Sequence, residues 1–294
     1  LADLMPKVLN RLLSADRAAF FKLAAALDQG LATKDLLIWF KDDGLQKRAA
    51  SLGWTGDLSP GVGDTLAVVH TNIAGQKTDG VMDEVIDHRT KILPDGSATV
   101  TMTIARTHNG QKFALFNGVR NVDYLRVYVP SGSRLVEASG FHSPDPKLFS
   151  LPDPGAETSP ALAGEELGST VDPSSGTKIW SERGLTAFGN WVQTDPGQTS
   201  TVKLVYSLPA GSIKTEKTDS WKALFQPQSR PSMSYSLTVK KQPGAKPARF
   251  LSSVELPRGY DLAWQSPERI LGADGRWTAE MKLDRDAFLA AVAK

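Results

Sequence analysis

Tyr124-Leu-Arg-Val-Tyr-Val129, then Pro130-Ser-Gly-Ser133, then Arg134-Leu-Val-Glu-Ala-Ser139 is the stretch that decides the fold class. Two runs of β-branched and aromatic residues around a Pro/Gly turn are the sequence form of a β-hairpin. The same form recurs along the chain. Residues 81–92 and 97–107 flank Pro94-Asp95-Gly96, a hairpin signal. The second of those arms alternates Ala98, Val100, Met102 and Ile104 against Thr99, Thr101 and Thr103, the period of a sheet with one buried face. Further strands are expected over 65–72, 186–193, 199–207, 234–240, 249–255 and 276–283, with turns at Asp195-Pro-Gly197 and Asp274-Gly275. Residues 285–294 read as a helix or as a last strand with a tail.

Residues 1–53 have another character. Leu4, Val8, Leu9, Leu12 and Leu13 recur at helical spacing, and Ser14 is placed to cap a second helix carrying Phe20, Phe21, Leu23, Ala24 and Leu27, closed by Gly30. Leu36-Leu-Ile-Trp-Phe40 reads as a short buried strand with Trp39 in the core. Asp42-Asp43 open a third helix that Gly53 stops. Gly56, Pro60, Gly61 and Gly63 mark the connection after it. Residues 140–178, rich in Pro, Gly, Ser and acids, read as a long surface excursion. The expected architecture is therefore α+β and mainly β. A short helical part over 1–56, the end of an upstream domain, leads into an antiparallel, Ig-like β-sandwich over 65–294.

Composition excludes several classes of function. The 34 basic and 32 acidic residues are interspersed and leave a net charge of +2, so no broad basic field is offered to nucleic acid or anionic lipid. There is no cysteine, which removes disulfides, thiolate metal sites and a cysteine nucleophile. No apolar run approaches the ~20 residues that span a bilayer, and no signal-peptide pattern is present. The chain starts at Leu1, not Met, so a fragment or processed form is expected, with any targeting segment upstream.

Candidate chemistry is sparse. His70, His88, His108 and His142 show no metal-ligand spacing. Asp87-His88 with Asp83 and Glu84 is the densest acid/His cluster. As a strand it puts Asp83 and Asp87 on one face and Glu84 and His88 on the other, either as a solvated surface or as a divalent-ion or general-base site. Asn72-Ile-Ala-Gly-Gln-Lys77-Thr-Asp79-Gly80 joins a strand end, a glycine, a lysine and an acid. It is a structural turn or an anion contact through backbone amides and Lys77, and it lacks the order of a Walker loop. No Gly-x-Ser-x-Gly and no dinucleotide fingerprint occurs. Of the seven tryptophans, Trp180 and Trp191 are the candidates for a sugar-stacking platform. The candidate ligand contacts are thus Asn72, Lys77, Asp79, Trp180 and Trp191, with no catalytic residue, metal or cofactor. Tyr235-Ser-Leu-Thr-Val-Lys-Lys-Gln-Pro-Gly244 reads as a strand ended by a turn.

Four motifs stand in a recognisable order: Leu36-Leu-Ile-Trp-Phe40 with Gly53-Trp54-Thr-Gly56; Asn72-Ile-Ala-Gly-Gln-Lys77-Thr-Asp79; Tyr124-Leu-Arg-Val-Tyr-Val-Pro130 with Gly132-Ser133; and Lys241-Gln242-Pro243-Gly244. Together they resemble the C-terminal half of the domain of unknown function 4012 family of bacterial envelope proteins, over roughly residues 1–256. The resemblance implies an extracytoplasmic place in the cell envelope, with a membrane anchor upstream. It implies a non-catalytic domain that binds or organises a wall glycopolymer or a protein partner. The upstream half of the family resembles LytR-CpsA-Psr phosphotransferases, which attach glycopolymers to the cell wall. The alternatives are therefore the C-terminal part of such an enzyme, with its active site upstream, or a structural spacer without ligand.

Overall fold

The computed structural model describes residues 4–14, 16–73, 75–150, 152–157, 159–216, 232–267 and 276–294. Trp221 and the expected Asp274-Gly275 turn lie outside them. The chain forms two compact units that divide between Asp57 and Leu58.

The first unit holds helices α1 (Leu4–Leu13), α2 (Arg17–Ala32) and α3 (Asp43–Ser51). Asp16, not Ser14, caps α2: its carboxylate accepts the Ala19 N–H at 2.8 Å, while the Ser14 hydroxyl turns back to the Arg11 carbonyl. Gly30 does not end α2 but lies within it. A Cβ there would sit 2.9 Å from Leu36 Cδ1, so the missing side chain makes room for Leu36. The left-handed turn that ends this region falls instead on Lys34, with φ 59°. Asp42 caps α3 as its sequence demands, accepting from Leu45 N at 2.9 Å. Leu36-Leu-Ile-Trp-Phe40 is not a buried strand. It is tethered through Ile38 N to the Trp54 carbonyl and through Phe40 N to Gln46 Oε1, without a ladder to cover its faces, and Trp39 is 75 % exposed.

The second unit is a sandwich of two packed sheets, mainly β as expected. Its strands are β1 (Asp64–Val69), β2 (Met82–Ile92), β3 (Ala98–His108), β4 (Asn121–Pro130), β5 (Arg134–Ser139), β6 (Thr170–Val171), β7 (Lys178–Glu182), β8 (Leu185–Thr194), β9 (Thr199–Ser207), β10 (Lys214–Glu216), β11 (Ser232–Lys240), β12 (Ala248–Glu255), β13 (Leu262–Ser266), β14 (Arg276–Leu283) and β15 (Ala287–Ala293). The first sheet runs β13-β15-β11-β1-β4-β8-β7-β6, with β10 beside β11, and the second runs β14-β12-β2-β3-β9-β5. Each sheet carries one parallel pairing in an otherwise antiparallel set: β1 with β11 and β2 with β12.

The Pro94-Asp95-Gly96 hairpin forms as read. Ile92 pairs Ala98, and Gly96 takes φ 82° to close the turn. The Pro130–Ser133 segment is a turn, with Ser133 N bonded to the Pro130 carbonyl, but it does not make a hairpin. Strand β4 pairs β1 and β8 in the first sheet, while β5 crosses the core to pair β9 in the second. Both edges of β4 are occupied, so none is left for β5. The excursion after β5 carries the helix α4 (Pro160–Leu167). Strand β7 then turns into β8 through Arg183 and Gly184, both with positive φ, the geometry of a tight two-residue hairpin. Residues 285–294 end in strand β15.

Alternation builds the core. Val100, Met102 and Ile104 of β3 meet Ile86 and Ile92 of β2, Leu125, Val127 and Val129 of β4, and Phe188 and Val192 of β8. Trp277, Tyr206, Tyr235 and Phe250 fill the middle and are fully buried.

Candidate functional site

At one end of the sandwich the inward-facing series changes from apolar to charged on both sheets at once. Strand β3 runs Val100, Met102, Ile104 and then Arg106; β2 runs from Ile86 to Glu84; β4 runs from Leu125 to Asp123. Glu84 and Arg106 are direct cross-strand partners in the second sheet. Asp123 and His70 belong to the first sheet's side, joined by His70 Nδ1 to Asp123 Oδ2 at 2.7 Å.

The charges meet across the gap between sheets. Arg106 donates to Asp123 Oδ2 at 2.8 Å and to Asn121 Oδ1 at 3.0 Å. His70 Nε2 lies 2.6 Å from Glu84 Oε2, an ion pair and not an aligned hydrogen bond. The remaining Asp123 oxygen accepts the Thr71 N–H at 2.7 Å. Gln242 locks the other side of His70, accepting its backbone N–H at 2.8 Å and donating to its carbonyl at 2.9 Å. That Gln242 belongs to the segment read as simple turn geometry; its side chain does more than end a strand.

His70 and Arg106 face Glu84 and Asp123 here, with Asp79 a third carboxylate at the rim, and the titration follows. Burial pulls the His70 imidazolium down, but Glu84, against Arg106 and with Asp123, outweighs it and holds the ring up at about 9. Burial pushes Glu84 and Asp123 up, yet His70 and Arg106 keep both carboxyls below their ordinary range. A histidine that stays protonated and faces a carboxylate at each ring nitrogen has no lone pair for a general base. Its opposed nitrogens also bar Glu84 and Asp123 from sharing one ion with it. Among the described residues no group of three His, Asp or Glu side chains is arranged to hold a metal. The cluster is an ion-paired brace between the sheets.

Asn72 and Asp79 are tied into the outer side of this brace. Asn121 donates to Thr78 Oγ1 and to Asp79 Oδ1, both at 2.9 Å, and Arg106 reaches Asp79 Oδ1 at 3.2 Å. Asn72 donates to Thr78 Oγ1 at 3.1 Å and accepts the Gly75 N–H at 2.7 Å. Lys77 sits on the same loop with its side chain in solvent. Asp83 and Asp87 point outward to Lys246 and Arg89, and Glu84 and His88 point inward, as the strand period requires.

Trp180 and Trp191 lie elsewhere, two rows apart on the outer face of the first sheet. There Tyr128, Ala187 and Trp180 form one cross-strand row, Arg126, Gly189 and Lys178 the next, and Tyr124 and Trp191 the third. Gly189 is the gap between the rings: a Cβ there would lie 2.7 Å from Trp180 Cη2 and 2.7 Å from the Tyr124 hydroxyl. Tyr124 meets Trp191 edge-on with centroids 4.9 Å apart, and Phe149 from the excursion meets Trp191 at 5.2 Å. A polar chain runs beside them. Arg126 donates to the Tyr128 hydroxyl, which donates to Glu182 at 2.8 Å, and Trp180 Nε1 donates to the same carboxylate oxygen at 3.0 Å. Burial pushes the Tyr128 hydroxyl well up, past the easing effect of Arg126 and with Glu182 beside it, so it stays a donor. Strand β4 thus carries the brace on one face, through Asp123, and the aromatic strip on the other, through Tyr124 and Arg126.

No protein-family model matches the chain, and no curated protein matches it. Among solved structures it is similar to a putative nutrient binding protein of Legionella pneumophila, at 10 % identity and a TM-score of 0.35, over 79 % of this chain and 71 % of that one. It is also similar to an M1 zinc metallopeptidase of Deinococcus radiodurans, at 11 % identity and a TM-score of 0.29, over 72 % of this chain and 42 % of that one.

Proposed function

We propose that the chain is a non-catalytic cell-envelope domain that binds a wall glycopolymer on the outer face of its first sheet. The observation that supports this most directly is the convergence of Trp180 and Tyr124 over Gly189, with Trp191 alongside. Half-buried rings in a row offer flat apolar faces to sugar rings, and Arg126, Glu182 and Lys178 beside them suit hydroxyls and anionic groups. The brace at the end of the sandwich supports a binding role and not a catalytic one, because its histidine and arginine are already held by carboxylates. The resemblance to an envelope family supports the location and the class of ligand.

The test is co-sedimentation of the full chain with isolated cell-wall polysaccharide. Trp180→Ala and Trp191→Ala should each weaken binding about tenfold, the order expected for one lost stacking contact. Parent protein that fails to sediment with any wall polymer sinks the reading. Capture of a defined envelope protein through the same tryptophans would replace it with a protein partner.

A further inference from the structure

The loop from β3 to β4 crosses between the sheets above the brace, and its side chains do the opposite of what a surface loop's usually do. Phe113 is 88 % exposed, Leu115 78 % and Phe116 59 %, and the neighbouring Ile73 is 52 % exposed. These four exposed apolar side chains, three of them within residues 113–116, make an apolar crest. The crest is rigid. Phe113 N bonds to the Gly118 carbonyl at 3.1 Å, Gly118 N to the Ala114 carbonyl at 2.9 Å, and Ala114 N to the Gln111 carbonyl at 3.0 Å. Lys77 N bonds to the Phe116 carbonyl at 2.8 Å, which fixes the crest to the braced 72–80 loop. His108 anchors its foot, with Nε2 2.9 Å from the Val119 carbonyl. Phe113 and Phe116 both take φ 69°, a costly conformation for a large side chain, and there it holds two rings out in water.

Charge says what such a crest fits. Residues 109–122 include Lys112 and Arg120 and no Asp or Glu. Of the nearby acids, Asp195 pairs Arg120 and Asp83 pairs Lys246, while Asp79 shares Arg106 with Asp123. Among the described residues no ion pair involves Lys77 or Lys112, and Lys112 Nζ lies 5.3 Å from the centre of the Phe113 ring. Exposed apolar side chains with lysines beside them complement a surface that is apolar below and negative at its face.

We propose that the 109–120 crest, with Ile73 and Lys77, docks on an anionic lipid bilayer, inserting Phe113, Leu115 and Phe116 below headgroups held by Lys77 and Lys112. This proposal stands apart from the glycopolymer face, since it uses none of the same side chains.

The experiment is flotation of the full chain with vesicles of phosphatidylcholine alone and of phosphatidylcholine mixed with phosphatidylglycerol. Binding should need phosphatidylglycerol and weaken with salt. Phe113→Asn and Phe116→Asn suit the left-handed backbone, so the loop keeps its shape while each variant loses about tenfold or more in vesicle affinity. Lys77→Gln and Lys112→Gln, both at exposed positions, should each lose about fivefold. Because the chain has no cysteine, Leu115→Cys carries a single environment-sensitive dye, whose emission should shift to the blue on mixed vesicles. The same dye at Lys91→Cys, at the other end of β2, should not respond. Three results overturn the proposal: vesicle binding that persists in the Phe113→Asn/Phe116→Asn double variant, a silent dye at 115, or no binding to mixed vesicles at low salt. Self-association that the double variant abolishes, seen without vesicle binding, would assign the crest to a second copy of the chain and overturn it equally.

Discussion

Gly189 shows how much one absent side chain decides. Its φ is ordinary, so only space forbids a larger residue. Gly189→Ala would drive a methyl group into Trp180 and Tyr124 and should cost about 1–3 kcal/mol, read as a shift in the urea midpoint. An unchanged midpoint would mean the two rings are free to part. In the brace, Asp123→Asn removes one partner of a buried pair and should cost about 3–5 kcal/mol in the same measurement. His70 also predicts a pH dependence. Its proton is held more tightly in the folded chain, so its stabilisation is complete below about 6.5 and is lost as pH rises through about 9. His70→Gln should flatten that decline; an equal decline in both proteins would place its cause elsewhere. Asn72 and Asp79 were legible as a motif because they lie close in sequence. Arg106, Asp123 and Gln242 were not, since only folding brings 106, 123 and 242 together. Their one linear trace is an Arg on β3 and an Asp on β4 where the inward alternation calls for another aliphatic residue.

Strands β1 and β2 share a second buried polar group. Asp64 accepts the Tyr235 hydroxyl at 2.8 Å, Thr90 lies 3.1 Å from that hydroxyl, and His88 Nε2 is 3.7 Å from the same Asp64 oxygen. Burial pushes the Asp64 carboxyl up to about 7, with Tyr235 only partly offsetting it, and burial pulls His88 down to about 4. Folding therefore moves a proton from the histidine to the carboxyl without net uptake, and the pair is silent to pH in the acid range. Breaking it exposes two opposite slopes. Asp64→Asn leaves a histidine that must be neutral, so stability should rise between about pH 4 and 6.5. His88→Gln leaves a carboxyl that must be neutral, so stability should fall between about pH 4 and 7. Thermal melts across that range decide it, and slopes of one sign in both variants would refute the exchange. At this scale the sequence was most readable where local chemistry is sufficient. The 94–96 turn closes a hairpin because β2 and β3 each have an edge for the other. The 130–133 turn has similar residues, yet its second arm goes to the opposite sheet. Which edges are already filled is decided by strands more than fifty residues away, β1 before and β8 after.

For the whole molecule, mainly-β architecture and the change from helices to strands were legible from periodicity, while sheet order was not. The parallel pairings join Thr65 to Thr238 and His88 to Ser252, contacts that no local turn announces. They make the last third of the chain part of the central framework. A truncation after Lys246, lacking β12 to β15, should lose cooperative unfolding and near-ultraviolet dichroism, not merely some stability. A sharp two-state melt from that fragment would show the first eleven strands to be self-sufficient.

The same two pairings set a schedule. As the chain leaves the ribosome, β1 and β2 emerge early and each pairs along one side only. Their other sides stay open, rows of bare amide and carbonyl groups, until residues 232–255 have been made. At roughly 5–20 residues per second that wait is about ten to thirty seconds. Throughout it, the nascent protein exposes two open strand edges ready to join any neighbour, which makes the interval of its own synthesis the time at which it most needs a chaperone.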